Sequence, residues 1–248
     1  MKVVGIIEAR MGSSRLPGKV LLPFGGEPAL GLLLKRVSSA EKLDEVIVAT
    51  TEEKGDLPIV RFCDKIGVKS FRGSENDVMK RVLDAARHCE ADLVCELMGD
   101  SPFLDPAEIN RAITEYRIRD CDYLSNFWPK NTYPLGFAVQ VYRTEVLAKA
   151  ETMTLDPVHR SHVTTFIYQN PDLFKINGID APHECQASDL RMALDQSEDY
   201  DAMQEVFEGI NGSENPFFSM QDCVGFLRNN PEIAKINQSV RVKKIEEG

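Results

Sequence analysis

The chain predicts an α/β fold: a three-layer sandwich with a mostly parallel, Rossmann-like central sheet and a less regular insertion in its second half. Three observations carry that expectation. Short β-branched apolar runs alternate with amphipathic helical stretches through the first half. Glycine, proline or aspartate punctuates the ends of those runs. The 248 residues, 43% hydrophobic and 27% charged, are enough to bury a substantial core of ordinary globular composition.

The elements follow in order. Lys2–Ile7 reads as a buried strand, and Ala29–Ser39 as a helix with Pro28 at its first turn. Glu45–Thr50 is a second strand, Asp56–Ile66 a helix stopped by Gly67, and Val68–Phe71 a third strand. Asn76–His88 is helical, with Ser74 and Asp77 at capping-box spacing. Ala91–Met98 is a strand and Pro106–Arg119 a helix. Strands and helices alternating at this spacing make a largely parallel sheet covered on both faces, whose ligands sit beyond the carboxyl ends of the strands. Further on, Asp122–Ser125 and Phe137–Arg143 read as strands around a Pro/Gly/Asn-rich stretch. Val158–Gln169 reads as one helix, Phe174–Ile179 and Leu190–Leu194 as strands, and Glu198–Glu208 and Ser219–Asn229 as helices. No linker divides the chain, so 1–248 is expected to form one domain, with 122–170 an insertion for acceptor binding or dimerisation.

Net charge is −10, from 39 acidic and 29 basic residues. Such a surface disfavours nucleic acid and anionic membranes, so neither is an expected partner. No apolar stretch approaches a membrane span and no signal-peptide layout is visible, which makes the cytoplasm the expected location. Six cysteines without a C-x-x-C pair read as free thiols.

Against that acidic background, residues 9–19 (ARMGSSRLPGK) form a basic island directly after the first strand. Arg10, Arg15 and Lys19 bring three positive charges, Ser13 and Ser14 add donors, and Gly12 and Gly18 are expected to take positive φ and admit a ligand close to the backbone. Fixed N–H groups and gathered cations suit a polyphosphate. The loop is not a P-loop: five residues separate the two glycines, and Val20 follows Lys19 where a hydroxyl would hold magnesium. G-x-G-x-x-G is absent from it.

Two aspartates terminate apolar runs, in Gly99-Asp100-Ser101-Pro102 and Ala193-Leu194-Asp195. Facing a phosphate-binding loop, they are suitable ligands for Mg²⁺, which prefers hard oxygens and retains waters. His159 and His162 are three apart without a visible third ligand, and Phe127, Trp128 and Tyr133 suit either a sugar-binding face or an apolar cluster.

The loop resembles the signature of cytidylyltransferases that activate acidic or unusual sugars. The branch it is most similar to is that of spore coat polysaccharide biosynthesis protein F, related to CMP-sialic acid and CMP-Kdo synthetases. The resemblance continues in order through Phe71-Arg72-Gly73, Asp77 with Arg81, Gly99–Pro102, Tyr123–Asn126, Tyr133–Gly136, Arg160–Thr164 and Leu190–Asp195 with Glu198-Asp199. Departures are Gln140, where the family often has Glu, and Ser101, where it often has Cys or Glu.

The resemblance implies a nucleotide-diphospho-sugar transferase type of fold and transfer of CMP from CTP to a small sugar, releasing pyrophosphate, for surface polysaccharide or glycan synthesis. Arg15 and Lys19 are expected on the β- and γ-phosphates, and Arg10, Met11 and the amides of Gly12, Ser13 and Ser14 around the nucleotide. The backbone near Ala9 would read the pyrimidine edge, and Arg81 would reach the nucleotide from its helix. Asp100 and Asp195 would hold Mg²⁺, while Asn126, Arg160 and His162 would meet the acceptor. A homodimer is also implied. The competing readings are a sugar-1-phosphate nucleotidylyltransferase using another triphosphate, a glycosyltransferase with a related sheet, and a silent nucleotide-binding module.

Overall fold

The computed structural model describes residues 1–241. Strand β1 (Val3–Glu8) leads through the basic loop to two short strands, β2 (Pro23–Phe24) and β3 (Glu27–Pro28), paired as a small hairpin. Helix α1 (Ala29–Val37), β4 (Glu45–Thr51), α2 (Leu57–Ile66), β5 (Lys69–Gly73), α3 (Val78–His88), β6 (Leu93–Met98) and α4 (Pro106–Ile118) complete the regular half. The second half contains β7 (Tyr123–Ser125), β8 (Gln140–Arg143), α5 (Thr144–Met153), α6 (Pro157–Ser161), α7 (Thr165–Gln169) and β9 (Ile176–Gly178). Helices α8 (Ser197–Gly209), α9 (Met220–Asn229) and α10 (Pro231–Ile236) follow.

Seven strands form one sheet in the order β5-β4-β1-β6-β8-β7-β9, and β8 alone runs antiparallel to its neighbours. The two-residue period of β1 divides the core. Val3 and Ile7 pack with Leu30 and Leu33 of α1 and Ile109 of α4, whereas Val4 and Ile6 pack with Met79 and Val82 of α3 and Leu147 of α5. The expected three layers are therefore present.

Local chemistry sets the helix starts. Asp77 accepts from Lys80 N at 3.0 Å and caps α3, while Ser74 Oγ accepts from Asp77 N at 3.1 Å. The cap is thus Asp77, and the box expected from Ser74 belongs to the preceding turn. Asp105 caps α4 ahead of Pro106. Arg36, fully buried, donates to the carbonyls of Phe103, Leu104, Pro216 and Phe218, tying the segment that follows β6 to the C-terminal helices. Burial draws its pKa down to about 10, which still leaves it charged at neutral pH.

Several expectations need correction. The helix read over Val158–Gln169 is two short helices, α6 and α7, because His162 leaves helical geometry (φ −126°, ψ 57°) before β-branched Val163 and Thr164. Leu190–Leu194 is not a strand but an extended segment hung from outside the sheet. Leu135 N donates to Leu190 O, Met192 N to Leu135 O, and Leu194 N to Asp100 O. The strand expected from Phe137 begins at Gln140, because Asn126 takes the Phe137 carbonyl and the Val139 N–H with its own amide group. Phe174–Ile179 contracts to β9, and helices α5 and α10 had not been anticipated. All six cysteines are free, as expected, and no helix among the described residues is long and apolar enough to cross a membrane.

Candidate active site

β4 lies on one side of β1 and β6 on the other, so strand order reverses between β1 and β6, the position where open α/β sheets bind ligands. Their carboxyl ends are in register, with Glu8 opposite Met98. Gly99 N donates to Glu8 O at 2.8 Å, and a Cβ on Gly99 would lie 2.5 Å from that oxygen, so this close approach requires glycine. The basic loop and Asp100 consequently leave the sheet side by side, bordering a cleft of about 540 Å³.

The loop is shaped from within. The Met11 carbonyl accepts from Ser13 N and Gly18 N, each at 2.9 Å, and Met11 N donates to Asp56 Oδ1 at 2.6 Å. Asp56 is itself held by the Thr51 hydroxyl at the end of β4. Gly18 has a φ of 72°, the left-handed conformation expected of it, whereas Gly12 lies outside that region. Met11 and Gly12 form the loop's frame, and the cleft is lined instead by Ala9, Arg10, Ser13, Ser14, Arg15 and Lys19.

Lys19 Nζ lies 2.8 Å from Asp100 Oδ2 and 2.8 Å from Asp195 Oδ1. Burial works against its charge, but the two aspartates outweigh burial and raise its pKa. Arg15 Nη2 is 3.2 Å from Asp195 Oδ1, and Arg191 Nη2 is 2.8 Å from Asp195 Oδ2. Burial would push the Asp195 carboxyl up; Lys19, Arg15 and Arg191 together hold it down and ionised. Arg191 also pairs with the fully buried Asp199 at 2.6 Å, and Asp199 accepts from Asp195 N at 3.1 Å and Gln196 N at 2.9 Å. Arg191 and Asp199 are therefore the supports that aim Asp195. Both stand in the motif around Asp195, but nothing in their spacing reveals a support rather than a ligand.

A divalent cation fits here. Two carboxylates, Asp100 after β6 and Asp195 after an extended segment, already converge on one ammonium, and Mg²⁺ commonly takes one or two carboxylates and fills its remaining positions with water and phosphate oxygens. Among the described residues no group of three histidine, cysteine, aspartate or glutamate side chains is placed to hold a metal.

The other expected residues are placed as follows. Arg10 reaches the cleft half-exposed, with Glu75 at 3.8 Å. Arg81 lines it from α3, is 3% exposed, and stands 4.0 Å from Glu8. Burial lowers its pKa. His162 lines the cleft, but Arg160 and Asn126 do not. Arg160 pairs with Asp77 at 2.5 Å and Glu151 at 2.9 Å, tying α6 to the cap of α3 and to α5. Asn126 is spent on the backbone of Phe137 and Val139. Both ring nitrogens of His159 are engaged, by Thr154 at 2.8 Å and Gln169 at 3.0 Å. Tyr133 is buried against Glu108, while Trp128 remains 41% exposed and stacks on Tyr168.

A cationic loop and paired aspartates at the switch point of such a sheet define a nucleotide-handling α/β enzyme. The cytidylyltransferase family model matches residues 4–229, and the chain belongs to that family. It is a nucleotidyltransferase. It is 30% identical to the spore coat polysaccharide biosynthesis protein SpsF of Bacillus subtilis over 241 residues, covering 94% of this chain and 96% of that protein. It is 36% identical over 250 residues to the uncharacterized protein MJ1063 of Methanocaldococcus jannaschii, covering 100% and 99%. A solved cytidylyltransferase structure from Leptospira borgpetersenii superposes with a TM-score of 0.87 at 31% identity, covering 98% of this chain and 100% of that one.

Proposed function

We propose that the protein transfers CMP from CTP to an acidic or otherwise unusual sugar, with release of pyrophosphate, acting in the cytoplasm to supply a CMP-sugar for surface polysaccharide or glycan assembly. The observation that carries this reading is Lys19 bridging Asp100 and Asp195 at 2.8 Å each, with Arg15 3.2 Å from the same Asp195. Cations and metal-suited carboxylates meet at one point of an acidic protein. Family membership and the likeness to SpsF support the choice of CTP and a sugar.

In the reaction a sugar hydroxyl oxygen attacks the α-phosphorus and gives up its proton to solvent, the bond from that phosphorus to the oxygen bridging the α- and β-phosphates breaks, and the electron pair leaves with pyrophosphate. Negative charge grows on the non-bridging and leaving oxygens, so positioning and fixed cations dominate the catalysis. Arg15 and Lys19 take the β- and γ-phosphates, and the loop amides with Arg10 hold the rest of the nucleotide. Asp100 and Asp195 would hold Mg²⁺, which would supply Lewis-acid stabilisation at the phosphates. Lys19 would exchange its carboxylate partners for phosphate oxygens when the nucleotide binds. Arg160 acts at a distance, by keeping α6 and His162 against the cleft.

The test is pyrophosphate release with Mg²⁺ and each of the four ribonucleoside triphosphates, against a panel of nonulosonic acids, octulosonic acids and sugar phosphates. CTP with at least one acceptor should give product. Release from UTP or GTP in preference to CTP would overturn the assignment.

A further inference from the structure

The two carboxylate oxygens of Asp195 are not equivalent. Oδ1 lies 2.8 Å from Lys19 Nζ and 3.2 Å from Arg15 Nη2, the cations that line the cleft, whereas Oδ2 accepts from Arg191 Nη2 at 2.8 Å. Arg191 works along one edge of its guanidinium. Nε and Nη2 fork onto the two oxygens of Asp199 at 2.6 and 3.1 Å, and the same Nη2 serves Asp195. Nη1 is buried and has no hydrogen-bond partner among the described residues. The position of Arg191 on Asp195 therefore depends on its fork with Asp199.

Asp199 is fully buried, and the protein's own donors orient it. Its Oδ2 also accepts from the backbone N–H groups of Asp195 and Gln196, and its Oδ1 accepts from the side-chain amide of Asn237 at 3.0 Å. Asn237, 3% exposed, donates as well to the backbone carbonyl of Arg191 at 3.1 Å. One amide nitrogen thus grips Arg191 twice, at its main chain and at the carboxylate its side chain forks on. Asn237 directly follows α10, whose Ile233 and Ala234 pack against the core. The family model ends before it, at residue 229.

Resting on the metal site proposed above, we infer that Asn237 is a positioning residue for Asp195: by keeping Arg191 on Oδ2, it makes Asp195 a one-oxygen ligand and so favours Mg²⁺ over larger cations. Mg²⁺ demands near-ideal octahedral geometry, whereas Ca²⁺ tolerates irregular geometry and readily takes both oxygens of one carboxylate. With the amide of Asn237 removed, Asp199 loses a donor and the main chain of Arg191 loses a tether. Nη2 then leaves Oδ2 more often, and Asp195 can turn both oxygens to a larger ion.

The probe is Mn²⁺, bound without nucleotide and read by electron paramagnetic resonance. Lys19→Ala supplies the background, because it removes the ammonium that covers both aspartates. Adding Asn237→Ala should weaken Mn²⁺ binding about tenfold, the lower end of what groups supporting metal ligands contribute. Ca²⁺ should gain on Mg²⁺ as a competitor for the bound Mn²⁺, the ratio of their displacing concentrations shifting about threefold. With Lys19 intact, Asn237→Ala should raise the Mg²⁺ needed for half-maximal pyrophosphate release about tenfold, while saturating Mg²⁺ restores kcat to within about threefold. Absence of Mn²⁺ binding to Lys19→Ala, equal binding with and without Asn237, or the same loss for all three ions overturns the inference. The last of these is the behaviour of a residue that only stabilises the fold. If Asn237→Ala does not fold, a wild-type crystal structure with Mn²⁺ and CTP decides. Asp195 should meet the ion through Oδ1 alone with Arg191 still on Oδ2, and contact through both oxygens overturns the inference. The Mn²⁺ measurement uses no nucleotide, so its failure is told apart from a failure of pyrophosphate release from CTP.

Discussion

At the loop end of the cleft, Arg10, Arg15 and Lys19 come from one stretch of eleven residues and meet two aspartates released by the chain just after extended segments. In the adjoining cavity of about 190 Å³, which shares Glu8, Met98, Ser161 and His162 with the cleft, Glu8, Glu96, Gln140 and Thr164 come from four separate parts of the chain, and no lysine or arginine lines it among the described residues. One end concentrates positive charge and compensates it with carboxylates that a metal can claim. The other buries two carboxyls, with Gln140 and the Tyr142 hydroxyl donating to Glu96.

That contrast can be broken at the loop end first. Asp100→Asn should lower metal-dependent turnover by about 10³-fold, measured as pyrophosphate release across a magnesium titration. Unchanged activity would remove Asp100 from the site. Lys19→Ala should cost about 10²-fold in kcat/KM for CTP with the fold retained. The same variant uncovers the two aspartates, so Mn²⁺ should bind it more tightly than wild type without nucleotide, read by electron paramagnetic resonance. Arg191→Met strands the buried Asp199 and should destabilise the protein by about 3 kcal/mol in urea unfolding. A smaller effect would mean that Asp195 is aimed by other groups.

The cavity end gives the smallest effect, through pH. Burial raises the Glu8 pKa to about 7, against the opposing pull of Arg81. A carboxyl raised in the folded state binds more protons there than in the unfolded chain. Its contribution is full below the ordinary carboxylate range and is lost as pH rises through about 7. Stability should therefore fall between pH 5 and pH 8 by on the order of 2 kcal/mol, and Glu8→Gln should flatten that slope. Parallel wild-type and variant profiles would show that Glu8 does not carry the proton.

The same contrast explains what could be read from the sequence. The loop was legible because its cations are contiguous and follow an apolar strand, and Asp100 because a glycine and an aspartate end the next parallel strand. Asp195 is legible as the end of an apolar run, although Leu190–Leu194 forms no strand and hangs by two backbone bonds from Leu135 and one from Asp100. Glu96 sits within the apolar run Leu93–Met98, where a lone acid carries no periodic signal, and only the register of β6 with β8 brings it to Gln140. Arg160 and Asn126 carried the family resemblance, but their side chains are consumed by Asp77, Glu151 and the backbone of the Asn126–Val139 turn. Helix α5 escaped notice because it starts directly at the end of β8 without a capping side chain.

The central claim is that Lys19 and the basic loop receive the nucleotide's phosphates opposite a metal held by Asp100 and Asp195. A crystal structure with CTP and Mg²⁺ tests it directly. The triphosphate should lie against Arg15 and Lys19, with Lys19 Nζ moved off Asp100 and the metal in its place. A triphosphate bound elsewhere, with both 2.8 Å contacts of Lys19 intact, would contradict the account.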